Sequence, residues 1–367
     1  MENIYHWLWL SKIPGIGSKK FVNIYKHFKD IEKVYQANEL DFHGIPHLSK
    51  NDIRTIMNNK DLNETYEYMK YLKKQKVDLL LYKDNKYPTL LKEIYDPPAI
   101  LYCKGKLEID EVAISIVGSR KASYYGLKMA EKLAYELASL GVTIISGMAK
   151  GIDTYAHKGA LQTKGKTIAV LGCGVDVIYP TENAELMKEI EKRGLIISEY
   201  PLKTFPKANN FPARNRIISG LSMGTIIIEA GEKSGSLITA EFALEQGRNV
   251  YAIPGNIDTQ NSRGSNNLLK EGAKIVTKVE DILEDLVPYL KTEISSLNKK
   301  FKQDNAINYK ELTSEEKNIL EKIKMGYNHD NDIINACNYT ASVVNSNLTM
   351  LELKGIIEKH RNQYFIK

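Results

Sequence analysis

The chain has 367 residues, of which 43% are hydrophobic and 26% charged, and its formal net charge is +6. This length exceeds one ordinary core and the composition is that of globular proteins, so we expect two or three domains and exclude wholesale disorder. Residues 111–290 carry a net charge of only +1, so any anion site there must arise from local placement of cations rather than from bulk charge.

Residues 1–75 are predicted to form a helical domain of the helix-hairpin-helix or SAM-like type, because apolar side chains recur there at helical spacing. Residues 13–20, with the sequence IPGIGSKK, are typical of the turn in a helix-hairpin-helix motif. Its two glycines allow a tight bend that exposes amide N–H groups to a phosphate, although a purely structural hairpin fits equally well. Residues 76–111 are interpreted as a segment connecting this domain to the core.

Residues 112–290 are predicted to form a Rossmann-like core of the α/β class with a parallel, doubly wound sheet. Short runs rich in Ile and Val alternate with amphipathic helical patterns, as expected for strands that are buried on both faces. The predicted strands are 112–117, 142–146, 167–171, 195–198, 225–229 and 249–253. Sheets of this kind bind ligands outside the carboxyl ends of their strands.

Residues 291–311 are polar, rich in Lys and Asn and without periodicity, which indicates a solvated linker. Residues 312–367 are predicted to form a small winged-helix-like domain. Thr313 and Glu316 are spaced for a capping box at its first helix, and residues 356–366 are spaced for a terminal β-ribbon.

The ends of the predicted strands carry glycine, hydroxyl and cationic residues, a combination that suits a phosphate. Glycine lets the backbone approach the phosphate, serine and amide groups donate hydrogen bonds to it, and arginine binds it in a bidentate pair. After the first two strands these residues are Gly118, Ser119, Arg120, Ser146, Gly147 and Lys150. An ordinary loop arginine is an equally good interpretation of Arg120 taken alone, and Asp153 is interpreted as a helix N-cap.

The stretch that begins at Phe211 opens a predicted helix with an aromatic ring followed by Arg214, Asn215 and Arg216. The two arginines lie two positions apart and point in different directions on a helix, so we expect one to pair with a phosphate and the other to brace the fold. Phe211 is expected either to stack on a base or to act as a hydrophobic staple at the helix start.

Ser234, Gly235 and Ser236 precede the next predicted helix and form an anion cradle by geometry. Glu229, at the tip of the preceding strand, is the only carboxylate that is placed for chemistry. A lone carboxylate without a His, Cys or second acid is a poor catalyst, so structural hydrogen bonding is its favoured role. Four strand-tip loops offer more contacts than one nucleotide needs, which predicts a track of phosphates.

Five motifs of the core resemble the DNA-processing protein A (DprA/Smf) family. They are GSR at 118–120, SGMAKGID at 146–153, LGCGVDVIYP at 171–180, FPARNRIISGLS at 211–222 and EAGEKSGSLITAEFALEQGRNVYAIPG at 229–255. The resemblance covers residues 112–276, and the motifs follow one another at the expected spacing.

The resemblance implies a non-catalytic protein that binds incoming single-stranded DNA during natural transformation, protects it and loads the RecA recombinase onto it. It also implies a homodimer formed through the Rossmann-like domain. By position, Arg120 is similar to the family's phosphate-binding arginine, and the stretch from Lys207 to Phe211 matches the one that supplies a basic and an aromatic DNA contact. Thr181 stands where relatives often have a lysine.

Two other functions are compatible with the sequence. A nucleotide-cleaving enzyme of the lysine-decarboxylase-like phosphoribohydrolase type would use Glu229 as its key acid. A transcription regulator would bind duplex DNA through residues 312–367 and would not depend on Arg120.

No metal or nucleotide cofactor is predicted. Gly172 and Gly174 do not complete a dinucleotide fingerprint, because Val177 occupies the position of its third glycine. The three cysteines are far apart and form no CxxC, which favours buried thiols over a disulfide or zinc site; they are Cys103, Cys173 and Cys337. No stretch approaches the roughly 18 apolar residues of a membrane span and no secretory signal is evident, so we expect a cytoplasmic protein.

Overall fold

The structure, a computed structural model, describes residues 4–106, 109, 112–286, 312–360 and 363–366. The predicted linker, residues 291–311, lies outside the described residues. The chain divides into two compact units, Met1–Leu290 and Lys291–Lys367.

The first unit begins with a helical region, as predicted. Its helices are α1 (Ile4–Lys12), α2 (Ser18–Phe28), α3 (Ile31–Gln36), α4 (Lys50–Asn58) and α5 (Asn63–Lys74). They bury their apolar faces against one another around Trp7, Phe21 and Ile56. The turn between α1 and α2 contains Gly15 with a φ of 84°, a backbone conformation that favours glycine. The predicted helical hairpin is therefore present.

A nine-stranded sheet forms the centre of the first unit. Its strands are β1 (Asp78–Leu81), β2 (Ile100–Gly105), β3 (Ala113–Gly118), β4 (Thr143–Ser146), β5 (Thr167–Val170), β6 (Leu195–Ser198), β7 (Gly224–Ile228), β8 (Asn249–Ala252) and β9 (Lys274–Ile275). Their spatial order is β1-β2-β6-β5-β4-β3-β7-β8-β9. The six predicted strands are all present and pair in parallel, which confirms the predicted fold class.

One edge of the sheet differs from the sequence interpretation. Residues 76–111 do not merely connect two domains, because they contribute β1 and β2 to the sheet. β1 pairs antiparallel with β2, and β2 pairs antiparallel with β6. The segment between β1 and β2 contains only a four-residue helix, Thr89–Lys92, which gives no amphipathic pattern of the kind that revealed the other strands.

Further helices connect the strands of the first unit. They are α6 (Thr89–Lys92), α7 (Tyr124–Ser139), α8 (Ile152–Leu161), α9 (Ala184–Arg193), α10 (Asn210–Gly220), α11 (Gly235–Glu245), α12 (Arg263–Lys270) and α13 (Glu280–Leu286). Every residue of β4 to β7 is buried, so both faces of the sheet are covered. β3 lies between β4 and β7, and this reversal of strand order is the switch point at which such sheets bind ligands.

The described residues of the second unit, 312–360 and 363–366, form three helices and a hairpin. They are α14 (Ser314–Lys324), α15 (Asp330–Cys337), α16 (Ala341–Leu353), β10 (Ile357–His360) and β11 (Gln363–Ile366). The predicted capping box is present, because Thr313 accepts from the Glu316 amide and Glu316 accepts from the Thr313 amide. This element order agrees with the predicted one, and its assignment as a winged helix stays a prediction.

All three cysteines are buried and free, in agreement with the sequence interpretation. Within the part of the chain that the structure describes, no helix is both long and apolar enough to cross a bilayer.

Candidate functional site

An open cleft of about 840 Å³ lies at the carboxyl ends of β3 and β7, at the switch point. We call it the strand-tip cleft. Nine of the predicted phosphate- and DNA-binding residues line it, namely Gly118, Ser119, Arg120, Phe211, Arg214, Asn215, Ser234, Gly235 and Ser236. A smaller pocket of about 60 Å³ also borders on Arg120 and Phe211, and Gly147 and Lys150 line it. The fold therefore gathers side chains from four separate loops at one place.

Arg120 is an exposed cation that lines this cleft. Its guanidinium lies 5.5 Å from the centre of the Phe211 ring and forms no ion pair with any residue that the structure describes. Gly118 has a structural role beside it, since a Cβ there would lie 1.9 Å from the Ile228 carbonyl oxygen. The glycine of the GSR motif thus lets β3 pack closely on β7, and the arginine provides the charge.

Two aromatic rings form one wall of the cleft. Phe211, half-buried at the start of α10, packs against Tyr179 with a distance of 5.4 Å between ring centres. Tyr179 is 39% exposed. Gly172 makes room for the Phe211 ring, because a Cβ there would lie 2.9 Å from it. Tyr179 was missed by sequence reasoning, since only the fold brings its loop to the start of α10.

Arg214 organises the floor of the cleft from a buried position. Its guanidinium donates to the carbonyl oxygens of Gly147, at 2.8 Å, and of Val170. Burial lowers the pKa of Arg214 to about 10. Asn215 accepts from Arg214 Nε and donates to the Gly235 carbonyl oxygen at 3.1 Å, which joins two strand-tip loops. Arg214 therefore fixes the loops and presents only a small surface to the cleft.

The interpretation of Asp153 as a helix N-cap was wrong. Gly151 occupies the N-cap of α8, and Asp153 lies inside the helix. Its carboxylate accepts from the amides of Gly147 and Ala149, at 3.1 and 3.3 Å. Burial raises the pKa of Asp153 to about 6, although the nearby positive charge of Arg214 opposes this shift. Asp153 thus shapes the loop after β4.

The structure does not bring Arg216 and Ser146 to the cleft. Arg216 is buried and donates to Glu199 at 2.6 Å and to Asp96 at 2.8 Å. Ser146 is fully buried and donates to the carbonyl oxygen of Ile116 at 2.7 Å. Both side chains already have partners inside the protein, so they stabilise the fold and are not available to a ligand.

The opposite wall of the cleft is the start of α11. Ser234 is its N-cap and accepts from the Ser236 amide, and space is open next to the Cα of Gly235. Exposed Lys121 and Lys233 also line this part of the cleft. Sequence reasoning missed both lysines, although Lys121 directly follows the GSR motif and Lys233 directly precedes Ser234.

Two further predicted cations lie at the margin. Lys150 is exposed and pairs with exposed Glu182, which lowers the pKa of that carboxyl. Lys207 is exposed and lines neither cavity, whereas its neighbours Pro206 and Ala208 line the strand-tip cleft. Lys150 lines the smaller pocket, and Lys207 lies between two residues that line the strand-tip cleft. A ligand that extends beyond the cleft would therefore pass close to both lysines.

Glu229 is engaged in structural hydrogen bonds, as the sequence interpretation favoured. Its carboxylate accepts from the Ser123 amide at 2.8 Å and from the Ser123 hydroxyl. A Cβ at Gly126 would lie 2.6 Å from the Glu229 carboxyl carbon, so the first turn of α7 fits closely around this group. Among the described residues no cluster of His, Cys, Asp or Glu could hold a metal ion.

Fold and site together define a Rossmann-like α/β protein with a cationic and aromatic cleft at the switch point of its sheet. The model of the family described as DNA recombination-mediator protein A matches residues 78–287. The chain belongs to this family, which confirms the resemblance seen in the five motifs.

Several relatives are similar over most of their length. Protein Smf of Synechocystis is 36% identical over 286 residues, which are 77% of this chain and 72% of that protein. DNA processing protein DprA of Streptococcus pneumoniae is 49% identical over 203 residues, or 55% of this chain and 72% of that protein. The X-ray structure of DprA from Streptococcus pneumoniae matches with a TM-score of 0.67 and 37% identity and covers 79% of this chain and 99% of that one.

A second solved structure concerns DNA processing protein A from Helicobacter pylori and its single-stranded DNA binding mode. It matches with a TM-score of 0.53 and 33% identity. The match covers 58% of this chain and 96% of that one.

Proposed function

We propose that this chain binds single-stranded DNA in the strand-tip cleft. The observation that carries the proposal is the position of exposed Arg120 5.5 Å from the Phe211 ring. A phosphate-binding cation and a base-stacking surface thus lie side by side. Single strands expose base faces to aromatic side chains, and each stacked base contributes about 1–3 kcal/mol without regard to sequence.

The remaining contacts extend the site in two directions. Lys121, Lys233 and the start of α11 provide amide, hydroxyl and ammonium donors on one side of Arg120. Lys150 and Lys207 provide exposed cations beyond the cleft. We infer that they bind successive phosphates, so the site holds a strand rather than one nucleotide. The single-stranded DNA binding mode of the Helicobacter pylori protein supports this inference.

We infer that the bound strand is DNA that is processed during natural transformation. In this role the protein protects the incoming strand in the cytoplasm, acts as a homodimer and loads the RecA recombinase. The family description as a recombination mediator and the names of the relatives as DNA processing proteins support this role.

Two observations favour binding over the alternatives. The carboxylate of Glu229 accepts two hydrogen bonds from Ser123, so it lacks the freedom to act as an acid on a nucleotide. Helix α16, which precedes the hairpin of the second unit, contains no Lys or Arg. A helix that reads duplex DNA usually supplies such side chains to phosphates and base edges.

Fluorescence anisotropy with labelled oligothymidine tests the proposal. Arg120→Ala should weaken binding uniformly across sequences and reduce the slope of log affinity against log salt by about 0.7, the value for one phosphate contact on a single strand. Lys188→Ala is the matched control, because Lys188 is an exposed cation on α9 that pairs with Glu185. An Arg120→Ala protein with unchanged affinity and slope would show that this residue is structural only.

The same preparations separate the alternative functions. We expect duplex DNA to bind more weakly than the single strand, and we expect no release of base or phosphate from nucleoside monophosphates. Turnover that disappears in Glu229→Gln would establish the enzyme, and tight duplex binding that survives Arg120→Ala would establish the regulator.

A further inference from the structure

The helical region carries a second group of cations and aromatic rings near the strand-tip cleft. The group consists of Lys12 on α1, Tyr68 and Tyr71 on α5, and Lys203 in the loop after β6. We call it the tyrosine–lysine strip. The two lysines are exposed and the two tyrosines are half-buried, so part of each side chain is accessible to solvent.

The four side chains of the strip are in contact. Lys12 Nζ lies 4.5 Å above the centre of the Tyr68 ring, and Lys203 Nζ lies 4.5 Å above that of Tyr71. The two rings are stacked with 6.5 Å between their centres and an angle of 29° between their planes. Each ring thus has an ammonium group over it, so aromatic surface and positive charge occur together, which is the combination that single-strand sites use.

The core holds the strip in place from below. The Tyr68 hydroxyl accepts from the Leu202 amide at 2.9 Å, and Asp176 accepts from the Lys203 amide at 2.9 Å. Lys203 has a φ of 63°, a conformation that favours glycine and costs free energy for a lysine. Lys203 occupies this strained position, and the ammonium group of Lys203 lies over the Tyr71 ring.

The same loop joins the strip to the strand-tip cleft. Between Lys203 and the cleft it presents Phe205, which is 73% exposed, and exposed Lys207. Pro206 already lines the cleft. Phe211 lies nine positions after Leu202 in the chain, so the Cα atoms of these two residues are at most about 32 Å apart. Single-strand sites of roughly 4–16 nucleotides are usual for one domain.

We propose that a single strand leaving the strand-tip cleft continues past Phe205 and Lys207 onto the tyrosine–lysine strip. The helical region then forms the second part of the DNA site, with Tyr68 and Tyr71 stacking on bases and Lys12 and Lys203 pairing with phosphates. This inference rests on the proposed function, because it extends the strand that the cleft binds.

The helix-hairpin-helix turn is the competing surface on this region, and its surroundings disfavour a phosphate. It borders a separate cavity of about 700 Å³ that is also lined by Asp96 and Glu199. Ser18 donates to Glu199, and the ammonium group of Lys20 is paired with Asp52 at 2.8 Å. Lys20 and Arg216 near the turn are thus engaged by carboxylates, whereas Lys12 and Lys203 of the strip lie over aromatic rings. The structural interpretation of the hairpin is the better one.

The test compares the binding of short and long oligothymidines, of about 6 and about 24 nucleotides, to the full chain. The double variant Tyr71→Leu with Lys203→Gln should lose about tenfold in affinity for the long oligonucleotide and remain within about twofold for the short one. Its salt slope for the long oligonucleotide should fall by about 0.7. Lys70→Gln is the matched control on α5, because Lys70 is exposed and pairs with Glu67.

The outcomes distinguish this inference from the proposed function. Unchanged binding of the long oligonucleotide by the double variant would overturn the strip and leave the cleft intact. A wild-type protein that binds neither oligonucleotide would overturn both. Ultraviolet crosslinking of the wild-type protein provides a measurement that does not depend on how the variant folds. A crosslinked peptide containing residues 68–71 supports the strip, and crosslinks confined to the cleft oppose it.

Discussion

Phe211 provides the sharpest test of how the strand-tip cleft acts, because its ring should contribute stacking and no charge. The ring lies between Arg120, at 5.5 Å, and Tyr179, at 5.4 Å, and is half-buried. Phe211→Ala removes one stacking surface, so the loss should be about 1–3 kcal/mol, or about 5- to 150-fold in the dissociation constant. Phe211→Tyr keeps the ring and should stay close to the wild type.

The measurement is a salt titration of oligothymidine binding by fluorescence anisotropy. Because the phenylalanine makes no phosphate contact, Phe211→Ala should shift the line of log affinity against log salt downward and leave its slope unchanged. Arg120→Ala should change the slope. If Phe211→Ala flattened the slope as Arg120→Ala does, or left the affinity unaltered, the assignment of stacking to this ring would be wrong.

Two further predictions concern residues that the structure assigns to the fold. Arg216→Met should lower the free energy of unfolding by about 3 kcal/mol, because it leaves Glu199 and Asp96 without their partner, and urea unfolding would measure it. A loss of DNA affinity at full stability would instead make Arg216 a ligand contact. The pKa of Asp153 is raised to about 6 in the folded protein. Between about pH 4 and pH 6 the folded state therefore keeps a proton on Asp153 that the unfolded state has lost. The contribution of Asp153 to the free energy of unfolding should therefore fall by up to about 3 kcal/mol as the pH rises from about 4 to about 6, and the pH profile of Asp153→Asn should lack this contribution. An identical pH profile for wild type and Asp153→Asn would contradict the assignment.

The sheet was predictable where strands are buried on both faces. The segments that form β3 to β8 are short runs rich in Ile and Val between helical patterns, and burial of every residue in β4 to β7 is the physical reason for that pattern. β1 and β2 lie at an antiparallel edge, and only the four-residue helix α6 separates them. β9 contains only two residues and leaves no periodic signal. Edge strands were therefore the part that sequence periodicity did not reveal.

The sequence predicted those parts of the candidate site that come from a single loop. Arg120 and the Ser234–Ser236 cradle each follow directly from a strand end and a helix start. Arg216 was indistinguishable from a ligand-binding arginine in the sequence, because its partner Asp96 is 120 residues away. Tyr179 and Phe211 meet only through the fold. The residue types near a strand tip thus indicate that a site is present. Which of these residues face the site depends on the partners that the fold gives to each side chain.

The cations and the aromatic rings of the cleft have different roles. This difference explains how the cleft would prefer a single strand although the core carries little net charge. Lys121, Lys233 and Arg120 attract any polyanion, so they contribute affinity for single strands and duplexes alike. Phe211 and Tyr179 can stack only on a base whose face is exposed, and a duplex keeps its base faces inside. Preference for the single strand therefore depends on the aromatic wall. In the proposed binding mode the cations set the affinity and its salt dependence. Three exposed charges at one edge of the sheet then matter more than the net charge of the whole domain.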